Sequence, residues 1–344
     1  MAVTTIENGT NKGRTFIDRS GAVRFEHYIG ADATEPDTVR ILNGGRLAEL
    51  TYVDSEKVWI DRPDAISEDP RVFLLADMTA LSVTRPAMSN DDAVRRIVTV
   101  VSYLMTLAVN GAANALPING QQTGEISDRY EVYVVPAGYV FGVWGVIYLG
   151  LGAFTVYQAI RGDDPVARRL GWLPAVTGLL NIAWILCFHY GWFAASVVIM
   201  LALLATLVAI YGRIREFHDL DRVARWAVQI PFSIYLGWIT VAAVANVAQT
   251  LDAVGFEPVL LPGDWLASIV LASVAVTAGR FMIRNADTAY GAVLVWAFAG
   301  IAVKEAATPA VAWVAWGSAM GIAAISIGRL VRRSMSADRR GATA

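Results

Sequence analysis

From residue 97 to residue 328 the chain repeats one pattern, runs of mostly apolar residues set off by short polar links. Each run has roughly the 20 residues a helix needs to cross the hydrocarbon core of a bilayer. The runs fall at about 97–116, 137–160, 172–190, 192–211, 227–251, 264–283, 288–305 and 308–328. They predict eight membrane spans. The seventh is the weakest, because Lys304 and Glu305 close it and alanine dominates around it. The third and fourth form a tight hairpin, since only His189-Tyr190-Gly191-Trp192 joins them. Before residue 97 the pattern changes. Ala22–Ile29, Leu50–Val53 and Val72–Leu75 are β-branched or aromatic, bounded by turn formers, and predict short strands. Residues 36–50 predict a helix or a turn. Residues 1–30 are polar and predict no signal peptide.

Composition agrees with this division. Of the 344 residues, 56% are hydrophobic and only 17% charged, with a mean hydropathy of +0.47, against about 45–50% and 25% in a soluble domain. Residues 1–95 carry 16 acidic and 11 basic side chains, and the rest of the chain 14 and 17. An acidic, soluble head is joined to a long apolar body. The expected fold is an all-α integral membrane helical bundle with a small α+β or β-rich soluble N-terminal domain. The chain divides into a head at 1–95, a five-span unit at 96–251, three further spans at 252–330 and a basic tail at 331–344.

Lys and Arg set the orientation, because cytoplasmic loops retain positive charge. With the head inside, sixteen arginines from Arg95 to Arg340 fall on the cytoplasmic side and only Arg129 and Lys304 outside. The expectation is a multi-pass protein of the cell (inner) membrane with both termini cytoplasmic.

Candidate chemistry is sparse. The single cysteine, Cys187, excludes an intramolecular disulfide, and His27, His189 and His218 lie too far apart in sequence to offer metal-ligand spacing. No basic stripe points to nucleic acid. In the head, Glu68-Asp69 reads as solvated surface and Leu42-Asn43-Gly44-Gly45-Arg46 as a turn.

Depth in the membrane is more informative. At 1.5 Å rise per residue, Asn110, Asn114, Trp144, Tyr148, Asn181, Trp184, Trp238 and Asn246 lie between about 3 and 20 Å below the outer surface. An amide facing lipid is costly, so these groups turn into the bundle. Two readings are open: asparagines bonding between helices amid an aromatic core, or a pocket with flat aromatic walls and a few polar anchors. The long external loop 117–136 lies directly above the cluster and favours the pocket, with the loop as its lid. Trp172, Trp192, Trp226 and Trp265 flank span ends as an interfacial belt. Trp296, Trp313 and Trp316 read as packing or lipid contacts.

The run Pro136-Ala137-Gly138-Tyr139-Val140-Phe141-Gly142-Val143-Trp144-Gly145-Val146-Ile147-Tyr148 resembles the second-helix signature of the TspO/MBR family, the tryptophan-rich sensory proteins related to the mitochondrial translocator protein. Asn181-Ile182-Ala183-Trp184 is similar to that family's third-helix Asn-x-x-Trp. Pro231-Phe232, Trp238 and Asn246 resemble its fifth-helix pattern, with Phe232 where the family usually has tyrosine and a Pro-to-Trp spacing about one turn longer. The resemblance covers about 97–251 and leaves the head and last three spans outside the basic unit.

The resemblance implies a site for porphyrin, haem-like or sterol-like hydrophobic molecules under the first loop, carried by Trp144, Tyr148, Asn181, Trp184, Trp238 and Asn246. Asn110 and Asn114 join the list on depth alone. The resemblance requires no cofactor, although a porphyrin or haem is a natural occupant. A receptor or sensor is the leading expectation. A porphyrin transporter is a second, opposed by the absence of acidic or basic side chains buried in spans two to five. A photochemical or oxidative porphyrin-degrading enzyme is a third, without a nucleophile–base pair to support ordinary hydrolysis. Gly138-x-x-x-Gly142 and Gly317-x-x-x-Gly321 allow close helix approach, either within one chain or across a homodimer.

Overall fold

The computed structural model describes six strands between residues 3 and 61, and residues 90–341 apart from Pro117, Glu131, Gly162, Asp163, His218 and Asp219; side chains are described within 92–329. Contacts divide the chain into two units, Met1–Ala87 and Met88–Ala344.

In the first unit β1 (Val3–Asn8), β2 (Asn11–Ile17) and β3 (Val23–Tyr28) form one antiparallel sheet in that order. A second comprises β4 (Thr38–Asn43), β5 (Arg46–Val53) and β6 (Glu56–Asp61). Asn8 pairs with Asn11, Asn43 with Arg46 and Val53 with Glu56, so three hairpins close over two residues, the length tight turns favour. Among the described residues the head is β-rich. The helix or turn expected over 36–50 is corrected to a hairpin, because Val39 and Ile41 favour a strand and Gly44-Gly45 is a hairpin dipeptide. The strand expected at Val72–Leu75 and the Glu68-Asp69 pair lie outside the described residues, as does His218.

The second unit is helical. In chain order it has α1 (Asn90–Ala115), α2 (Thr123–Asp128), α3 (Val143–Ile160), α4 (Pro165–Leu170), α5 (Leu173–His189) and α6 (Phe193–Arg215). There follow α7 (Arg222–Ala224), α8 (Ile230–Ala253), α9 (Gly263–Asn285), α10 (Thr288–Lys304) and α11 (Pro309–Gly341). All eight apolar runs are helices. Six stretches are long and apolar enough to cross a membrane, whereas α5 and α10 have 17 residues each. At 1.5 Å per residue these two reach about 25 Å, the short end of the spanning range. The architecture is a multi-pass helical membrane bundle.

α8 is its axis, packed by α3, α6 and α10. Its run from Pro231 to Ile239 is apolar on all sides apart from Ser233 and is buried at all but Ile234, as expected for a helix enclosed by others. Gly237 allows the close approach of α10: a Cβ there would sit 3.0 Å from the Tyr290 carbonyl oxygen. Pro231 cannot donate a backbone hydrogen bond. Just before it, the Ile230 N–H reaches back five residues to the Arg225 carbonyl, making a π-type turn over Arg225–Gln229.

The arginine-rich end is stitched by side chains. Arg95, buried, donates to the Ala167 carbonyl (3.0 Å) and pairs with Asp92 (3.1 Å), which also meets Arg168 (3.0 Å). Arg161 bonds Asp221 (2.6 Å), and Arg169 grips Glu216 through two bonds of 2.6 and 2.8 Å. Arg169 holds the Glu216 carboxyl below its ordinary range. The Ala224 N–H, then Arg161, do the same for Asp221.

Among the described residues the glycine pairs bring no neighbour into close approach. A Cβ at Gly138, Gly142, Gly317 or Gly321 would meet nothing within 4 Å, and Gly138–Gly142 is a 3-10 turn rather than an α-helical face. Trp172, Trp192, Trp226 and Trp265 are exposed near helix ends, in keeping with an interfacial belt.

Candidate functional site

Two hydrogen-bond relays cross the bundle. The Asn110 side-chain amide on α1 donates to Asn181 Oδ1 on α5 (2.7 Å), and Asn181 Nδ2 donates to the Tyr235 hydroxyl on α8 (3.2 Å). In the second, the Trp184 indole N–H donates to the Asn246 carbonyl oxygen (3.1 Å), and the Asn246 amide donates to Ser196 on α6 (3.0 Å). Asn181 is 0% exposed. Its position three residues before Trp184 puts both on one side of α5, so one helix feeds both relays.

Aromatic rings stack through the same layer. Tyr148, Trp144, Trp184 and Phe188 form a ladder with successive centroids 5.5, 6.3 and 5.4 Å apart and interplanar angles of 21–25°. Trp238 meets Trp144 edge-on at 6.1 Å and Phe141 at 5.5 Å, the perpendicular geometry that suits ring quadrupoles.

Between these rings and the loop above lies a cavity of about 40 Å³, lined by Trp144, Trp184, Phe188, Trp238, Asn246 and Gln249 and roofed by Thr123 and Ser127. That is space for a water or so, well short of the about 300–1,000 Å³ of small-molecule sites. The Trp238 indole nitrogen is buried and has no hydrogen-bond partner among the described residues. Leaving such a donor unmet costs about 1–3 kcal/mol.

The roof is α2 and its flanks. The Gln122 backbone N–H donates to Glu125 (2.8 Å), half of the capping-box exchange that starts a short helix. His189, buried at the end of α5, meets the Thr123 hydroxyl through Nε2 (2.9 Å) and the Ile118 carbonyl through Nδ1 (3.3 Å), and Asn119 donates to the His189 carbonyl (3.1 Å). Gln249 on α8 donates to both the carbonyl and the hydroxyl of Ser127 (3.2 and 3.1 Å). Tyr130 packs edge-on against Phe193 at 5.2 Å. The loop read from sequence as a lid is thus tied to three helices directly above the rings.

Of the eight expected site residues, Trp144, Trp184, Trp238 and Asn246 line the cavity. Asn110 and Asn181 stand behind it in the first relay, and Tyr148 continues the ladder beyond it. Asn114 stands apart: it is exposed and donates to the Asn110 backbone carbonyl of its own helix (2.8 Å). Phe188, Gln249 and Phe141 were not singled out from sequence. Each lies three or four residues from a residue that was (Trp184, Asn246, Trp144), so helical spacing could have found them. Tyr235, one turn after Phe232, supplies the hydroxyl that the Pro-Phe sequence lacks.

A profile of the TSPO-like protein family matches residues 96–328. The chain belongs to that family. No curated protein and no solved structure matches it. The family match runs through α9, α10 and α11, so the three last spans, set outside the family unit on sequence alone, belong to the TSPO-like region. Both relays and the lid lie within it.

Proposed function

We propose that this TSPO-like protein is a membrane receptor that takes a flat, hydrophobic, tetrapyrrole-like molecule between the aromatic ladder and α2. The observation that carries the reading is an aromatic-walled cavity closed by a hydrogen-bonded lid, with Trp238, whose buried N–H has no partner among the described residues, in its wall. Faces of Trp144 and Trp184 suit a planar macrocycle, and the Trp238 N–H is a donor awaiting an acceptor. At about 40 Å³ the cavity is closed, so binding requires α2 to release His189 and Gln249 and the rings to part. The ligand then exchanges stacking within the protein for stacking on itself. The bias of arginines toward one end supports a cytoplasmic placement of head and tail, with the lid on the outer face of the cell membrane. The open glycine face of α11 leaves room for a homodimer.

The test is an absorbance titration of purified full-length protein with protoporphyrin. A saturable shift of the porphyrin band supports the receptor. Bleaching under light or air assigns turnover instead, and no spectral change overturns the reading in favour of transport or scaffolding.

A further inference from the structure

A second space lies on the opposite side of α8. α9 makes its helix contacts with α11 and α10, and the cleft it leaves toward α6 and α8 has a volume of about 800 Å³. None of the residues that line it lines the aromatic cavity. Along α8 the lining runs from Leu236 to Asp252 and along α9 from Gly263 to Phe281, about 24 and 27 Å at helical rise. Spread over that length, the volume makes a channel rather than a chamber, a shape for a chain and not for a disc.

The chemistry of the wall is aliphatic, with Leu204, Val244, Val247 and Val274 among its residues. Three of its hydroxyls are already engaged. Thr240 donates to the Leu236 carbonyl (2.8 Å) and accepts from Tyr290 (3.3 Å), and Ser273 donates to the Ile269 carbonyl (2.7 Å). An occupant therefore finds few polar anchors along this stretch, the Thr277 hydroxyl on α9 among them. At the lid end the character changes. The last turn of α8, the connection and the first turn of α9 carry Asp252, Glu257 and Asp264 and no Lys or Arg, and Asp252 lines the groove. The same connection exposes Val259 (96%) and Leu260 (94%), an apolar tip that suits the membrane interface rather than water. The mouth of the groove thus sits where lipid headgroups lie.

We propose that this groove is a binding site for a membrane phospholipid with an amine-bearing headgroup, its acyl chain laid along α8 and α9 and its ammonium at Asp252. Length and wall chemistry select the hydrocarbon chain, and the acidic mouth selects the amine over an anionic head. The inference does not depend on what binds beneath α2.

The test reconstitutes the full chain in bilayers of equal parts phosphatidylethanolamine and phosphatidylglycerol and weighs the retained lipid by native mass spectrometry. The expected result is one retained phosphatidylethanolamine, enriched about threefold over phosphatidylglycerol, the scale of one exposed ion pair. Asp252→Lys, at an exposed position, should invert the preference, and Ala248→Trp should abolish retention by filling the groove. Lipid retained at the bulk ratio, a preference unchanged in Asp252→Lys, or a groove filled by a second copy of the chain instead of lipid would each overturn the proposal.

Discussion

α8 presents two faces to unfilled space, and they differ in almost every respect. On one, Trp238, Ala242, Ala245, Asn246 and Gln249 look onto a closed space of about 40 Å³. On the other, Leu236, Ala243, Val247, Ala248 and Leu251 look onto an open groove of about 800 Å³. Both faces use alanine to make room, so the helix itself does not decide the outcome. What packs opposite does. On the first face α3 and α5 send in large rings and α2 covers them, whereas on the second α9 turns to α11 and stands away. The first face is rich in hydrogen bonds that must be broken to admit anything. The second is already open and is walled mostly by apolar side chains. One side is suited to selective, gated binding of a flat molecule, and the other to a chain drawn from the bilayer.

The largest effect that bears on this contrast is on folding. Asn181→Ala removes the link between Asn110 and Tyr235 and leaves the buried Tyr235 hydroxyl unpaired, while Asn110 keeps its bond to the Thr106 carbonyl. It should cost about 2 kcal/mol of stability, read as a lower midpoint in thermal unfolding of the detergent-solubilised protein. Ala248→Leu, on the groove face, should leave that midpoint in place. Equal effects of the two would erase the distinction between the faces.

Ligand affinity comes next. Trp184→Phe keeps a ring in the ladder but loses the N–H bond to Asn246. Porphyrin binding should weaken by about 1–2 kcal/mol, measured by fluorescence quenching. Trp313→Phe, 75% exposed on α11, is the matched control and should not change it.

The lid should respond more modestly. Gln249→Ala removes both bonds to Ser127, and His189→Ala removes the contacts to Thr123 and Ile118. Each should raise hydrogen exchange of residues 118–130 about fivefold, the effect of about 1 kcal/mol on an opening equilibrium. Exchange in α9 should stay as it was.

Much of the first face was legible in the sequence, and the second was not. Asn-x-x-Trp on α5 and Trp238 with Asn246 on α8 sit at spacings that any helix preserves, so depth and motif together located four cavity residues. His189 drew attention only as a metal ligand without partners. Its role as a latch depends on where the loop folds back, which spacing along the chain does not encode. The groove depends on α9 choosing α11 over α6, a choice between equally apolar helices that composition cannot rank. In the head, strand pairing prevailed over the helix-or-turn reading of 36–50: Thr38–Asn43 lies antiparallel alongside Arg46–Thr51.

The smallest expected effect lies at the arginine-rich end, away from both faces. Asp221 caps α7 and pairs with Arg161, and these contacts depress its carboxyl pKa. A carboxyl whose folded pKa lies below its unfolded value contributes stability above the unfolded value. That contribution is lost as pH falls toward the folded one. Asp221→Asn keeps the cap and drops the charge. It should cost a few tenths of a kcal/mol at neutral pH and make the unfolding midpoint less sensitive to pH below about 4.

The most direct test of the central claim is a porphyrin titration on the parent, Trp238→Phe and Ala248→Trp, run side by side by absorbance. The account predicts saturable binding to the parent, about fivefold weaker binding in Trp238→Phe, where one hydrogen-bond donor is gone, and unaltered binding in Ala248→Trp. Binding that survives intact in Trp238→Phe but disappears in Ala248→Trp would place the ligand in the groove and contradict it.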